Sequence, residues 1–148
     1  MEFAESQRLS EAASAIEAFG RSSFPESYTG VALESDGQGL VVYRRPSPAL
    51  DTALHHLMAG LPVTVHDARY SERELLSVVD QLRSDDAYWR EQGLRISTFG
   101  PRHDGSGIDL TTPDVELARR LLPGRYDVEF LITRGGPVTP YPATTAQP

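Results

Sequence analysis

The chain has 148 residues, 39% of them hydrophobic, and no cysteine, so a core of ordinary size forms without disulfide staples, and thiolate metal sites are excluded. Its formal charge is −7 and all fourteen basic residues are arginines scattered among twenty-one acids, which argues against a surface built to neutralise nucleic-acid phosphates. No run approaches the roughly 18 apolar residues of a membrane span, and no basic-then-apolar leader opens the chain.

Leu9, Ala13, Ile16 and Phe19 recur at spacings of three and four, which predicts an amphipathic helix over 5–19 ended by Gly20. After the breaker RSSFPES, the runs YTGVALES and GLVVYRR flank Ser35-Asp36-Gly37-Gln38, where Asp36-Gly37 supplies the positive φ angles of a tight β-hairpin turn. Ser47-Pro48 predicts a helix start, with serine as N-cap and proline where its missing N–H is not needed. Leu50, Ala53, Leu54, Leu57, Met58 and Leu61 form one face of that helix, and Pro62 to His66 alternates as a strand. Ser71 and Glu74 make a capping box that opens one long helix, with Leu75, Val78, Val79, Leu82 and Trp89 inward and Gly93 at its end.

The second half repeats this order. LRISTFG and SGIDL flank an Asp104-Gly105 turn, Thr112-Pro113 starts the helix VELARRLL, and YDVEFLIT alternates with Tyr126, Val128, Phe130 and Ile132 on one face. Laying Gly39 on Gly107 pairs Asp36-Gly37 with Asp104-Gly105 and Leu40 with Ile108, although the helices then need a gap. A phosphate loop would run its glycine turn into a helix N-terminus, whereas both turns here run into strands; the alternating acidic ligands of a calcium loop are missing too. The expected fold is a two-layer α+β sandwich, a mixed sheet of about six strands from two strand-strand-helix-strand units, with ferredoxin-like features and helices on one face. The expected organisation is a helix and linker over 1–23, one α+β domain with internal duplication over 24–134, and a proline- and threonine-rich flexible tail over 135–148.

His66, Asp67, Arg69 and Tyr70 follow a strand and precede a capped helix, a usual place for functional groups, and His103 is at the second hairpin tip. Together they offer acid–base, oxyanion-binding or metal-ligating groups; were His66 and His103 on neighbouring strands, Asp67 or Asp104 would complete a two-histidine, one-carboxylate set. The plainer reading pairs Asp67 with Arg69 or has them cap backbone, packs Tyr70 as a staple before Ser71, and leaves His103 as an exposed turn residue. No nucleophile stands beside a base at motif spacing, so no catalytic residue, metal ligand or cofactor is assigned. Tyr88 is expected to face solvent and suit a partner contact, while Trp89 belongs to the core. His55-His56 diverge by about 100° on their helix and do not converge on a metal. Arg44-Arg45 and Arg119-Arg120 suit a carboxylate or phosphate, or a solvated face.

Through Tyr28-Thr29-Gly30-Val31, Leu40-Val41-Val42-Tyr43, Tyr70-Ser71 before a helix, and Asp104-Gly105-Ser106-Gly107-Ile108, the chain resembles a group of uncharacterised actinobacterial exported proteins. It also resembles the pro-region-type domain ahead of secreted bacterial trypsin-fold serine proteases. That resemblance covers about 24–134 and implies a domain that presents its sheet edge and C-terminal tail to a protease. Past Gly135-Gly136 the residues are rich in proline and threonine. The leading expectation is a non-enzymatic protein-binding module that uses the exposed sheet face or edge and the C-terminal tail, with weak homo-oligomerisation through the sheet edge as a duller alternative. Secretion or membrane anchoring, with Met1 replacing a signal or anchor segment, is favoured over a cytoplasmic location. The alternative is a small enzyme, or a small-molecule or metal-binding domain, with a pocket near His66, Asp67, Arg69 and His103.

Overall fold

Apolar spacing and turn chemistry along the chain produce six strands and five α-helices among the described residues. The computed structural model describes residues 2–136, with side chains from residue 6 onward, so the predicted tail from 137 lies outside the described residues. The protein is α+β. Hydrogen bonding groups the strands into two three-stranded sheets, where the sequence suggested one mixed sheet of about six, because each strand-strand-helix-strand unit closes its own sheet. The described chain divides into two compact units, residues 2–77 with 101–107, and 78–100 with 108–136.

In the first unit, α1 (Glu2–Ser23) runs past the predicted stop at Gly20. The glycine is there for close approach, since a Cβ on it would lie 2.4 Å from Cδ1 of Tyr28. Leu9, Ala12 and Ile16 line the inner stripe of α1 and join Tyr28, Leu40, Val42, Leu50, Leu54 and Met58 in one core. Each fully buried aliphatic side chain there contributes about 1.5–3 kcal/mol of transfer free energy. β1 (Tyr28–Leu33) and β2 (Leu40–Arg44) form the predicted antiparallel hairpin. α2 (Pro48–Leu57) starts at the predicted cap, with Ser47 Oγ accepting from Leu50 N–H at 3.2 Å, and carries the chain back to β3 (Val63–Asp67), parallel to β2. Leu57, placed on the buried face from sequence, is 45% exposed.

The capping box forms as predicted: Ser71 N–H donates to Glu74 Oε1 at 2.8 Å and Glu74 N–H to Ser71 Oγ at 3.1 Å. The helix it opens does not reach Gly93. It breaks at Asp85 into α3 (Glu72–Ser84) and α4 (Asp86–Glu91), and the Asp85 carboxylate accepts from Tyr126 Oη at 2.6 Å and from Arg125 Nε at 3.1 Å.

In the second unit, β4 (Thr98–Pro101) neighbours β5 (Ile108–Thr112), which pairs in parallel with β6 (Phe130–Arg134) through the crossover helix α5 (Val115–Leu121). Buried Ile108, Leu110 and Thr112 alternate with exposed Asp109 along β5. The predicted strand over 126–133 is regular only from Phe130, although Tyr126 and Val128 are buried and Asp127 and Glu129 exposed as the alternation requires. Thr112 closes β5 instead of capping α5: its hydroxyl donates to Arg95 O and accepts from Asp114 N–H at 2.9 Å. Asp114 stands at the cap position, but its carboxylate is held by Arg95 through the backbone N–H at 2.9 Å, Nε at 3.1 Å and Nη2 at 2.8 Å.

The two hairpin turns share their hydrogen-bond pattern. Glu34 N–H donates to Gly39 O at 2.8 Å and Arg102 N–H to Gly107 O at 2.9 Å. Asp36 Oδ1 accepts from Gln38 N–H at 2.9 Å and Asp104 Oδ1 from Ser106 N–H at 3.0 Å. Both glycine-rich stretches are thus hairpin turns.

Candidate functional site

The parallel register of β2 and β3 places Tyr43 beside His66, with ring centroids 5.8 Å apart. His103, from the second hairpin tip, meets the same tyrosine ring edge-on at 5.6 Å. The tip is seated tightly: an added Cβ at Gly30 would be 2.4 Å from His103 O, Tyr70 N–H donates to Gly105 O at 3.1 Å, and Thr29 Oγ1 donates to Tyr70 O at 2.7 Å. The structure therefore gathers His66, His103 and Tyr70 into one neighbourhood of the first unit, with Tyr43 as a member that no sequence motif singles out.

Asp67 does not join them. Successive strand residues face opposite sides, and Asp67 accepts from Nη1 of the largely buried Arg44 at 2.5 Å, while Asp51 takes Arg44 Nε at 2.7 Å and Nη2 at 2.8 Å. The two acids, Asp51 first, hold the Arg44 guanidinium well above its ordinary pKa. Asp67 thus pairs with Arg44, and the Arg69 guanidinium carbon is 5.4 Å from the Tyr70 ring. Asp104 is committed to Ser106, which donates to it from both N–H and Oγ, and its pKa is lowered: burial opposes ionisation, but the Ser106 bonds together with the nearby Arg102 charge outweigh it. Among the described residues no group of three or more histidine, aspartate or glutamate side chains is placed to hold a metal. A cleft of about 160 Å³ beside Thr29, Gly30 and Glu72 takes His103 as a lining residue but not His66.

A larger opening lies on the core side of the first sheet, where α2 faces β3. This groove of about 510 Å³ is walled by Asp51, Leu54, His55 and Met58 on one side and Val63 and Val65 on the other. β3 is the last strand of its sheet. Leu40 N–H donates to Pro62 O at 2.9 Å and Ala68 N–H to Arg44 O at 2.8 Å, so in the parallel ladder Thr64 and His66 turn their backbone groups toward β2. Val63, Val65 and Asp67 then present N–H and C=O to the open edge, and among the described residues no backbone hydrogen bond occupies them. The sequence signal for this site is weak. It lies in Val63 and Val65 alternating in a strand that is the last of its unit.

In the second unit, Tyr88 is 39% exposed and forms the floor for Arg125, whose guanidinium carbon is 3.9 Å from the ring centroid. Buried Trp89 donates from Nε1 to Tyr126 Oη at 2.9 Å, and Tyr126 donates to Asp85. Burial first, then the Asp85 acceptor, raises the Tyr126 phenol to about 12, while Arg125 and Tyr126 hold Asp85 below the usual carboxylate range. No protein family and no curated protein matches the chain.

Proposed function

We propose that this chain is a non-enzymatic protein-binding module that takes an extended segment of a partner protein along the open edge of β3. The observation that carries this reading is the coincidence of unpaired backbone groups at Val63 and Val65 with a groove between that strand and α2 that is lined by Leu54, Met58 and Val65 beside Asp51 and His55. Strand addition needs both: main-chain bonds supply affinity, and a groove beside the edge reads alternate side chains. The partner segment would place apolar side chains at every second position over Leu54, Met58 and Val65. Binding through a sheet edge is also the mode implied by the resemblance to pro-region-type domains, and a partner protease is one occupant this surface would suit.

A displayed library of random peptides selected on the full chain tests the proposal. Selected peptides should alternate apolar residues, and their amide shift perturbations should centre on residues 50–67. Val65→Pro removes an outward N–H while sparing the β2 ladder, and Ala59→Arg fills the groove from an exposed position. Both variants should lose binding with their circular dichroism unchanged. Peptides that bind both variants as well as the parent would overturn the assignment.

A further inference from the structure

A second cleft, in the second unit and independent of the β3 groove, has a different chemistry. It has a volume of about 370 Å³ and is lined by Tyr88, Trp89, Gln92, Arg120, Leu121, Gly124 and Arg125. Two guanidinium groups line it and no acid does, in a protein of net charge −7. Among nearby acids, Asp86 pairs with Arg90 at 3.1 Å and Glu116 with Arg119 at 3.7 Å, while the Asp85 carboxylate reaches the cleft's own Arg125 at Nε, 3.1 Å away. Arg125 is fixed in position by that carboxylate and by the Tyr88 ring beneath it. Arg120, exposed at the end of α5, has no hydrogen bond or ion pair with any described residue. The pair therefore joins one preorganised guanidinium to one uncommitted guanidinium, with the Gln92 amide beside them.

Two guanidinium groups lining one cleft suit an oxyanion that accepts several charge-assisted hydrogen bonds, and a phosphate dianion gains from both where a carboxylate satisfies one. The cleft is in the size range of small-molecule pockets, so it holds more than the anion, and Tyr88 and Trp89 offer an aromatic wall to the remainder. We propose that this cleft binds the phosphate group of a small organic phosphate, with Arg120 and Arg125 gripping the oxyanion.

Trp89 is the one tryptophan of the chain and lines the cleft, so its emission reports occupancy directly. The full chain is titrated with inorganic phosphate and with phenyl phosphate, ionic strength being held constant with sodium chloride. The expected result is a saturable change in Trp89 emission, with phenyl phosphate binding at least as tightly as inorganic phosphate. Arg120→Gln should weaken both by about tenfold or more, as expected for losing a hydrogen bond to a charged group. Because Arg120 makes no hydrogen bond or ion pair with a described residue, this variant should keep the fold, which circular dichroism verifies. A response that follows ionic strength alone, an unchanged titration in Arg120→Gln, or tighter binding of inorganic phosphate than of phenyl phosphate would each overturn the proposal. The Val65→Pro variant should titrate like the parent, which separates this site from the β3 groove.

Discussion

Gly37 and Gly105 hold the same backbone angle, φ 74° and 75°, in corresponding turns, yet one stands in open space and the other in a packed seat. A Cβ at Gly37 meets nothing within 4 Å, while at Gly105 it would lie 2.5 Å from Ala68 Cβ and 2.8 Å from Tyr70 O. Gly37→Ala should cost about 1 kcal/mol, the backbone penalty alone. Gly105→Ala adds overpacking against backbone and should cost about 3 kcal/mol. Urea denaturation of the two variants checks the difference, and equal losses would mean that the second turn is not seated as described.

Arg44 binds two acids of unequal exposure: the Asp51 side chain is 40% exposed and that of Asp67 76%. Asp67→Asn should therefore change stability by less than about 1 kcal/mol, as for other solvated pairs. Arg44→Ala removes a buried side chain and strands both carboxylates, and should cost about 2 kcal/mol, below the range for fully buried pairs because water reaches the acids. Thermal melts of the two variants would separate these outcomes.

Tyr126 is both acceptor for Trp89 and donor to Asp85, so Tyr126→Phe leaves a buried indole N–H without its partner and should destabilise by about 1–3 kcal/mol. The phenol titrates at about 12 in the fold against 10.0 in the open chain. The folded state favours the neutral phenol, so this contribution is whole below pH 10 and is lost as the pH rises toward 12. Stability followed against alkaline pH should fall less steeply in the phenylalanine variant. The loss that persists there belongs to Tyr28, whose phenol is raised chiefly by burial.

Asp114 is held at about 2 by the Arg95 side chain first and the Arg95 backbone N–H second, against 3.8 in the open chain. Its pKa is depressed on folding, so the stability it contributes is present above pH 3.8 and disappears as the pH falls through 2. Arg95→Gln should move the Asp114 titration upward toward its ordinary value, read from its carboxyl carbon by NMR.

Much of the local structure was legible in the sequence because its causes are local. The Ser47 and Ser71 caps, the Asp36-Gly37 and Asp104-Gly105 turns and most of the inward face of α2 each depend on residues within a few positions of one another. The errors arose where distant partners intervened. Gly20 reads as a stop, but Tyr28 needs its missing side chain. The helix over 72–93 reads as continuous, but Asp85 is drawn away by Arg125 and Tyr126. Thr112 reads as a cap, but its hydroxyl is shared between Arg95 O and Asp114 N–H.

For the candidate sites, the sequence supplied residue types and the tertiary structure decided their company. His66 and His103 were candidates by type, and only the strand register and the seated hairpin tip bring both to Tyr43 while turning Asp67 to Arg44. The open edge of β3 and the sharing of one cleft by Arg120 and Arg125 are not set by neighbours in sequence. Which strand ends a sheet, and which guanidinium finds no acid, depend on long-range pairing, whereas caps and turns are settled by hydrogen bonds that the chain makes to itself nearby.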